Sequence, residues 1–239
     1  NFGFLLANEL GADIIATIDD DNIPKKNWGK NLLINEKSKV SKIFHKDNVF
    51  DPIYVSEHNH LWHRGFPLDR IDNREIKNKK KIYIKPDVQA DFWDNDPDID
   101  CICRVMYQEK VKFKKKIYPF YSNKLSPFNT QNTFFNTKIL ENYYLFPGVG
   151  RMHDIWASYY VQYINKIKVV YNAPSVIQKR NIHTIKKDMH DEFIGLKKNN
   201  LFVTHMINNK FQLKDFFNKK SIKSFEIYKN HIKKINEKK

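Results

Sequence analysis

Asp13-Ile-Ile-Ala-Thr-Ile-Asp-Asp-Asp-Asn-Ile-Pro24 runs a short β-favouring stretch into three consecutive carboxylates. Ile14 to Ile18 is too short for an independent helix and reads as a buried strand. Asp19, Asp20 and Asp21 then stand at its C-terminal end, with Pro24 closing the segment. In open α/β sheets that edge is where ligands bind. Adjacent aspartates repel one another, so a fold gains little from three of them unless a cation or donor groups compensate. Hard divalent ions prefer such oxygen ligands, and Mg²⁺ commonly takes one or two carboxylates plus substrate phosphates. A solvated acidic turn with an N-cap accounts for the same residues, so the choice falls to the rest of the chain.

Upstream, Phe2 to Leu10 reads as a helix stopped by Gly11. One helix before the strand looks like an α/β unit entered halfway, and further strand–helix units are expected ahead of Asn1. Downstream, Lys26 to Glu36 reads as a loop or short helix, and Val40 to Phe44 as a strand. Asn48 to Arg74 is irregular and rich in His and aromatics, the character of a functional loop. Lys81 to Lys85 and Asp100 to Tyr107 read as strands, Thr137 to Tyr144 and Asp154 to Lys166 as helices, and Lys168 to Asn172 as a strand closed by Pro174. From Asp188 onward apolar residues recur at helical spacing among lysines. The expected organisation is an α/β domain over 1–195 and a basic amphipathic helical tail over 196–239, docked on it.

With 41% hydrophobic and 14% aromatic residues, the 239-residue chain can build a packed core, which excludes wholesale disorder. Its two cysteines, Cys101 and Cys103, form neither a disulfide framework nor a zinc site and read as reduced packing residues in a cytosolic protein. No apolar run reaches the length of a membrane span and no signal-peptide pattern is read in these residues, so no membrane-spanning segment is expected. The net charge of +15 favours anionic partners: nucleotides, phospholipid head groups or nucleic acid. A lysine- and asparagine-rich composition also arises from AT-rich coding. No nucleic-acid-binding motif accompanies the charge, so no nucleic-acid partner is expected.

Five further clusters carry candidate chemistry. His58-Asn-His-Leu-Trp-His-Arg-Gly-Phe-Pro-Leu-Asp-Arg-Ile71 places Arg64, suited to a phosphate fork, beside Gly65, which lets backbone approach a ligand. An aromatic-packed surface loop or a zinc site are the competing readings there, the latter without supporting ligand spacing. Asp94-Asn-Asp-Pro-Asp-Ile-Asp100 is a second acidic cluster. Ser126-Pro-Phe-Asn-Thr-Gln-Asn-Thr-Phe-Phe135 offers amides of the kind that read sugar hydroxyls. Gly148-Val-Gly-Arg-Met-His-Asp-Ile-Trp156 sets Arg151, His153 and Asp154 at a helix start, where Asp154 is either a first-turn acid or a general base. Gln178-Lys-Arg-Asn-Ile-His183 supplies His183, which could complete a metal shell begun by the aspartates.

In this order, Ile18-Asp-Asp-Asp-Asn-Ile-Pro24, Trp62-His-Arg-Gly-Phe-Pro-Leu-Asp69, Asp96-Pro-Asp-Ile-Asp100, Asn129-Thr-Gln-Asn-Thr133, Arg151-Met-His-Asp-Ile-Trp156 and Gln178-Lys-Arg-Asn-Ile-His183 resemble the motif series of STELLO-type glycosyltransferases. More distantly they are similar to the reversibly glycosylated polypeptides, the UDP-arabinopyranose mutases. The resemblance covers residues 1–195. It implies a GT-A fold, a mixed sheet flanked by helices around an Asp-x-Asp metal motif, here without its N-terminal nucleotide-binding units. It also implies transfer of a sugar from a nucleotide-sugar donor, UDP-linked, to a glycan or lipid-linked acceptor, with Mn²⁺ or Mg²⁺ as cofactor. Carried onto this chain, Asp19, Asp21 and His183 are the implied metal ligands. Asp19, Asp20, Arg64, Asp98, Asp100, Gln131, Asn132 and Arg151 would contact substrate, and Asp154 is the implied base. A nucleotide-sugar pyranose/furanose mutase is the alternative enzyme, and a basic nucleic-acid or anionic-surface binder the non-enzymatic one. The class and the basic tail suggest a cytoplasmic protein in peripheral contact with the inner membrane face.

Overall fold

The computed structural model describes residues 1–114, 117–181 and 184–238. The strands are β1 (Ile14–Ile18), β2 (Asn22–Pro24), β3 (Ser38–His45), β4 (Ile76–Ile84), β5 (Val88–Asn95), β6 (Phe120–Tyr121), β7 (Asn132–Asn136) and β8 (Val169–Gln178). Among the described residues they form one mixed sheet in the order β1-β7-β5-β8-β6-β3-β4, with β2 pairing β8 off this path. The helices are α1 (Phe2–Glu9), α2 (Cys101–Met106), α3 (His153–Asn165), α4 (Ile185–Ile207) and α5 (Lys219–Asn236). The expectation of an α/β mixed sheet flanked by helices and followed by a helical C-terminal segment is met at that level. No helix among the described residues is long and apolar enough to cross a membrane.

Strand directions explain where chemistry collects. β1 and β5 both run antiparallel to β7, and β5 runs parallel to β8. The C-terminal ends of β1, β5 and β8 therefore share one edge, and β7 begins there. Asp19–Asp21, Asp96–Asp100, Gln131 and Gln178–Asn181 all emerge at that edge.

Several local expectations are corrected. β1 is an edge strand with only Ile15 buried, not a buried strand. Asp100 to Tyr107 forms α2 rather than a strand, because Asp100 caps it by accepting the Cys103 N–H at 2.9 Å. Cys101 and Cys103 are free and buried, and burial first, with nearby carboxylates, pushes both thiols up to about 12. Thr137 to Tyr144 holds only a 3-10 turn at Thr137–Ile139. β8 continues past Pro174 through a bulge, where Asp91 pairs Asn172 but Trp93 pairs Val176. β5 and β7 are strands that local pattern does not predict. The boundary expected between 195 and 196 falls inside α4, where Gly195 lies against Met152.

One aromatic core spans both sides of that boundary. Trp156 of α3 stacks on Phe202 of α4 at 4.5 Å between ring centroids, and Phe146 stacks on Phe217 at 4.0 Å. Phe225, Tyr228 and Ile232 of α5 join the same buried cluster as Phe4 of α1. Each such side chain contributes about 1.5–3 kcal/mol on full burial.

Candidate functional site

At the shared strand edge a cavity of about 260 Å³ opens, lined by Asp19, Asp20, Asp21, Arg64, Asp98, Thr130, Gln131, Arg151, His153, Asp154, Gln178, Arg180 and Asn181. Six separate chain segments thus converge on one polar hollow. The Asp triplet reaches it through a turn in which the Asp19 N–H donates to Gln131 O at 3.0 Å and the Asn22 N–H returns to Asp19 O at 3.1 Å. Backbone then pins Asp21 against the end of β8: its carbonyl accepts the Lys179 N–H at 2.8 Å, and its carboxylate accepts from Asn22 Nδ2 at 3.2 Å and the Asn181 N–H at 3.4 Å.

The floor is an ion-pair lattice centred on Arg64, whose side chain is 9% exposed. Its Nε donates to Asp98 Oδ1 at 2.8 Å, while Nη1 and Nη2 donate to the two oxygens of Asp154 at 3.1 and 3.0 Å. Nη1 also donates to the Arg151 carbonyl. Asn129 Nδ2 donates to Asp98 Oδ2 at 2.6 Å. Burial alone would raise both carboxyls, but the Arg64 charge and hydrogen bonds hold Asp98 and Asp154 below the usual carboxylate range. This corrects two assignments. Arg64 has no free fork to offer a diphosphate. Asp154 also accepts the Ile155 N–H at 2.8 Å and the Thr130 N–H at 3.4 Å, so it lacks both the raised pKa and the open lone pair of a base at neutral pH. Its carboxylate is committed to the pair with Arg64.

Asp19 behaves differently. Burial first, then the charges of Asp98, Asp154 and Asp21 against the opposing pull of Arg64, push its carboxyl up to about 6. Five aspartates against three arginines leave the lining with an excess of two negative charges. Arg151 and Arg180, already counted among those three, are further offset by acids outside the lining. Arg151 donates from Nη1 to Asp188 Oδ1 at 3.3 Å, and its Nε lies 2.9 Å from Glu192 Oε1 without hydrogen-bond alignment. Arg180 Nε donates to Asp96 Oδ1 at 3.1 Å, and its Nη2 stands 3.8 Å from Asp98.

Of the remaining expected contacts, Gln131 is at the cavity, with Nε2 donating to Asn22 Oδ1 at 3.2 Å and to Gln178 Oε1. Asn132 is not: it is 1% exposed, its Nδ2 donates to Ser175 Oγ at 2.9 Å and Phe92 O at 3.0 Å, and its Oδ1 accepts from Trp28 Nε1 at 3.0 Å. Asp100 is also elsewhere, occupied by capping α2 and accepting from Trp62 Nε1, and burial pushes its carboxyl up to about 6. His183 lies outside the described residues. Thr130, His153, Gln178, Arg180 and Asn181 line the cavity without having been assigned a role. Gln178, Arg180 and Asn181 follow β8 as the aspartates follow β1, so the same strand-end argument would have found them.

Among the described residues no group of three or more His, Cys, Asp or Glu side chains stands close enough to hold a metal ion. The aspartates therefore make no closed metal cage. The negative excess and the raised Asp19 carboxyl suit a cation that takes one or two carboxylates and completes its shell from a ligand's own oxygens. Comparison with protein-family models gives no match, and comparison with curated proteins gives no significant one.

Proposed function

We propose that the protein is a metal-dependent glycosyltransferase of the STELLO type, using a nucleotide-sugar donor, UDP-linked, and a glycan or lipid-linked acceptor. The observation that carries this reading is the meeting of Asp19–Asp21 with Arg151, Arg180 and Asn181 in one polar cavity at the strand ends. A lining of net negative charge repels a diphosphate unless a divalent cation comes with it. The motif order along the chain supplies the link to the family.

In this reading Asp21, aided by Asp19, would hold Mn²⁺ or Mg²⁺. The ion would supply charge neutralisation of the departing diphosphate. Arg151 and Arg180 face the phosphates from the other wall. Asp20 is placed to accept from a sugar hydroxyl, and Gln131, whose two amide N–H groups go to Asn22 and Gln178, holds the wall beside it. Asp98 and Asp154 keep Arg64 fixed, so the floor is pre-organised before the donor arrives. The basic face of the C-terminal segment would bring the enzyme to the cytoplasmic membrane surface, where lipid-linked acceptors reside.

Calorimetric titration of UDP and UDP-sugars, with GDP and CDP forms as controls, checks this with and without Mn²⁺. The expected result is binding by wild type that requires Mn²⁺ and falls at least tenfold in Asp21→Ala. Metal-independent binding, or equal binding by Asp21→Ala, would sink the assignment.

A further inference from the structure

On the face of the sheet covered by residues 27–33 lies a second cavity, of about 230 Å³. It shares no lining residue with the site at the strand ends. Asp91 of β5 stands in its wall, 6% exposed, and among the described residues it is the sole charged side chain lining the space. The polar part of the wall is otherwise neutral amide, from Gln89, Asn172, Asn27 and Asn31, and Leu32 and Pro119 are among the apolar residues.

A buried carboxylate without a cation is costly. The hydrogen bonds here do not require one. Gln89 Oε1 accepts the Leu33 N–H at 2.7 Å, and Gln89 Nε2 donates to Asp91 Oδ1 at 2.7 Å. That relay fixes the covering loop, and a neutral acceptor at 91 would complete it equally well. What the carboxyl lacks, among the described residues lining the cavity, is a cationic partner. Burial pushes the carboxyl up to about 6 against donors from Ser175, Asn172 and Gln89. Beside it is space rather than packing, lined by the amide residues Asn27, Asn31, Gln89 and Asn172.

We infer that this cavity is a second binding site, for a small ligand with one positive charge: a primary ammonium group on a short apolar body. The ammonium would take Asp91 and amide oxygens as its three acceptors, and the body would lie against Leu32 and Pro119. A single carboxylate matches a single positive charge.

n-Propylammonium chloride tests the assignment by calorimetry at pH 7.5, against 1-propanol and KCl at matched ionic strength. Wild type is expected to bind propylammonium saturably and neither control. Asp91→Asn should weaken binding at least tenfold, and Leu32→Trp, which fills the space and leaves the charge, should abolish it. If Asp91→Asn fails to fold, Leu32→Trp and the carbon chemical shift of the Asp91 carboxyl during titration of wild type carry the test. Equal binding of 1-propanol would make the cavity merely apolar, and equal binding of KCl would make it an inorganic ion site. Either result, or no saturable propylammonium binding, overturns the inference. Because Asp21 is not in this wall, Asp21→Ala should bind propylammonium like wild type, which separates failure here from failure of the nucleotide-sugar reading.

Discussion

At the scale of single residues, the partners of Arg64 decide what the strand-end cavity can do. Asp154 was legible as an acid at a helix start, but its neighbour 90 positions away was not, because local pattern cannot register a buried ion pair of that separation. If Asp154 orients Arg64, then Asp154→Ala leaves a buried guanidinium half-paired and should cost about 3–5 kcal/mol of stability by urea unfolding. A free base would cost activity and almost no stability. His45 makes a separate prediction. Burial first, then Lys124, lowers its pKa from 6.5 to about 4, and its Nε2 lies 3.1 Å from Ser122 Oγ. The folded state thus favours the neutral ring, so its stabilising contribution is complete above pH 6.5 and is lost as pH falls toward 4. Thermal melts of His45→Gln should be flatter than wild type across that window.

At the scale of elements, β1 and its acidic end were readable from a dozen residues, as were α1, α3 and β3. β5 was not. In Val88-Gln-Ala-Asp-Phe-Trp-Asp-Asn95 the alternation runs only from Val88 to Phe92 before Trp93 breaks it. Ala90, Asp91 and Asn95 are residue types depleted in strands, and Gln89 and Asp91 face the second cavity rather than solvent. β7 was obscured in the same way, since Asn132 and Asn136 are buried by hydrogen bonds to Trp28, Ser175 and Asn35, contacts supplied by distant chain. The loop that carries Arg64 depends on one glycine. Gly65 has φ +88°, and a Cβ there would collide with Ile155 at the start of α3. Gly65→Ala should therefore destabilise by more than about 2 kcal/mol through overpacking and backbone strain together, read from the midpoint of chemical unfolding.

At the scale of the whole molecule, the C-terminal segment is part of the core. Asn8 Nδ2 of α1 donates to Asn236 Oδ1 of α5 at 3.1 Å, tying the first helix to the last. Ile232 is fully buried, and Ile232→Ala should cost about 2–5 kcal/mol. A chain ending at residue 208 should lose cooperative unfolding altogether, which differential calorimetry would show. A detachable tail would leave the main transition intact.

The strand-end cavity has no wall of its own. Its lining is borrowed from positions 19 to 181, brought together only when β1, β5, β7 and β8 are in register and α3 is seated. Occupancy and foldedness are therefore two readings of one equilibrium. A compound that fits raises the melting temperature in proportion to the logarithm of its concentration over its dissociation constant. The natural ligand can accordingly be fished from a metabolite library by heat alone, before any reaction is known to follow.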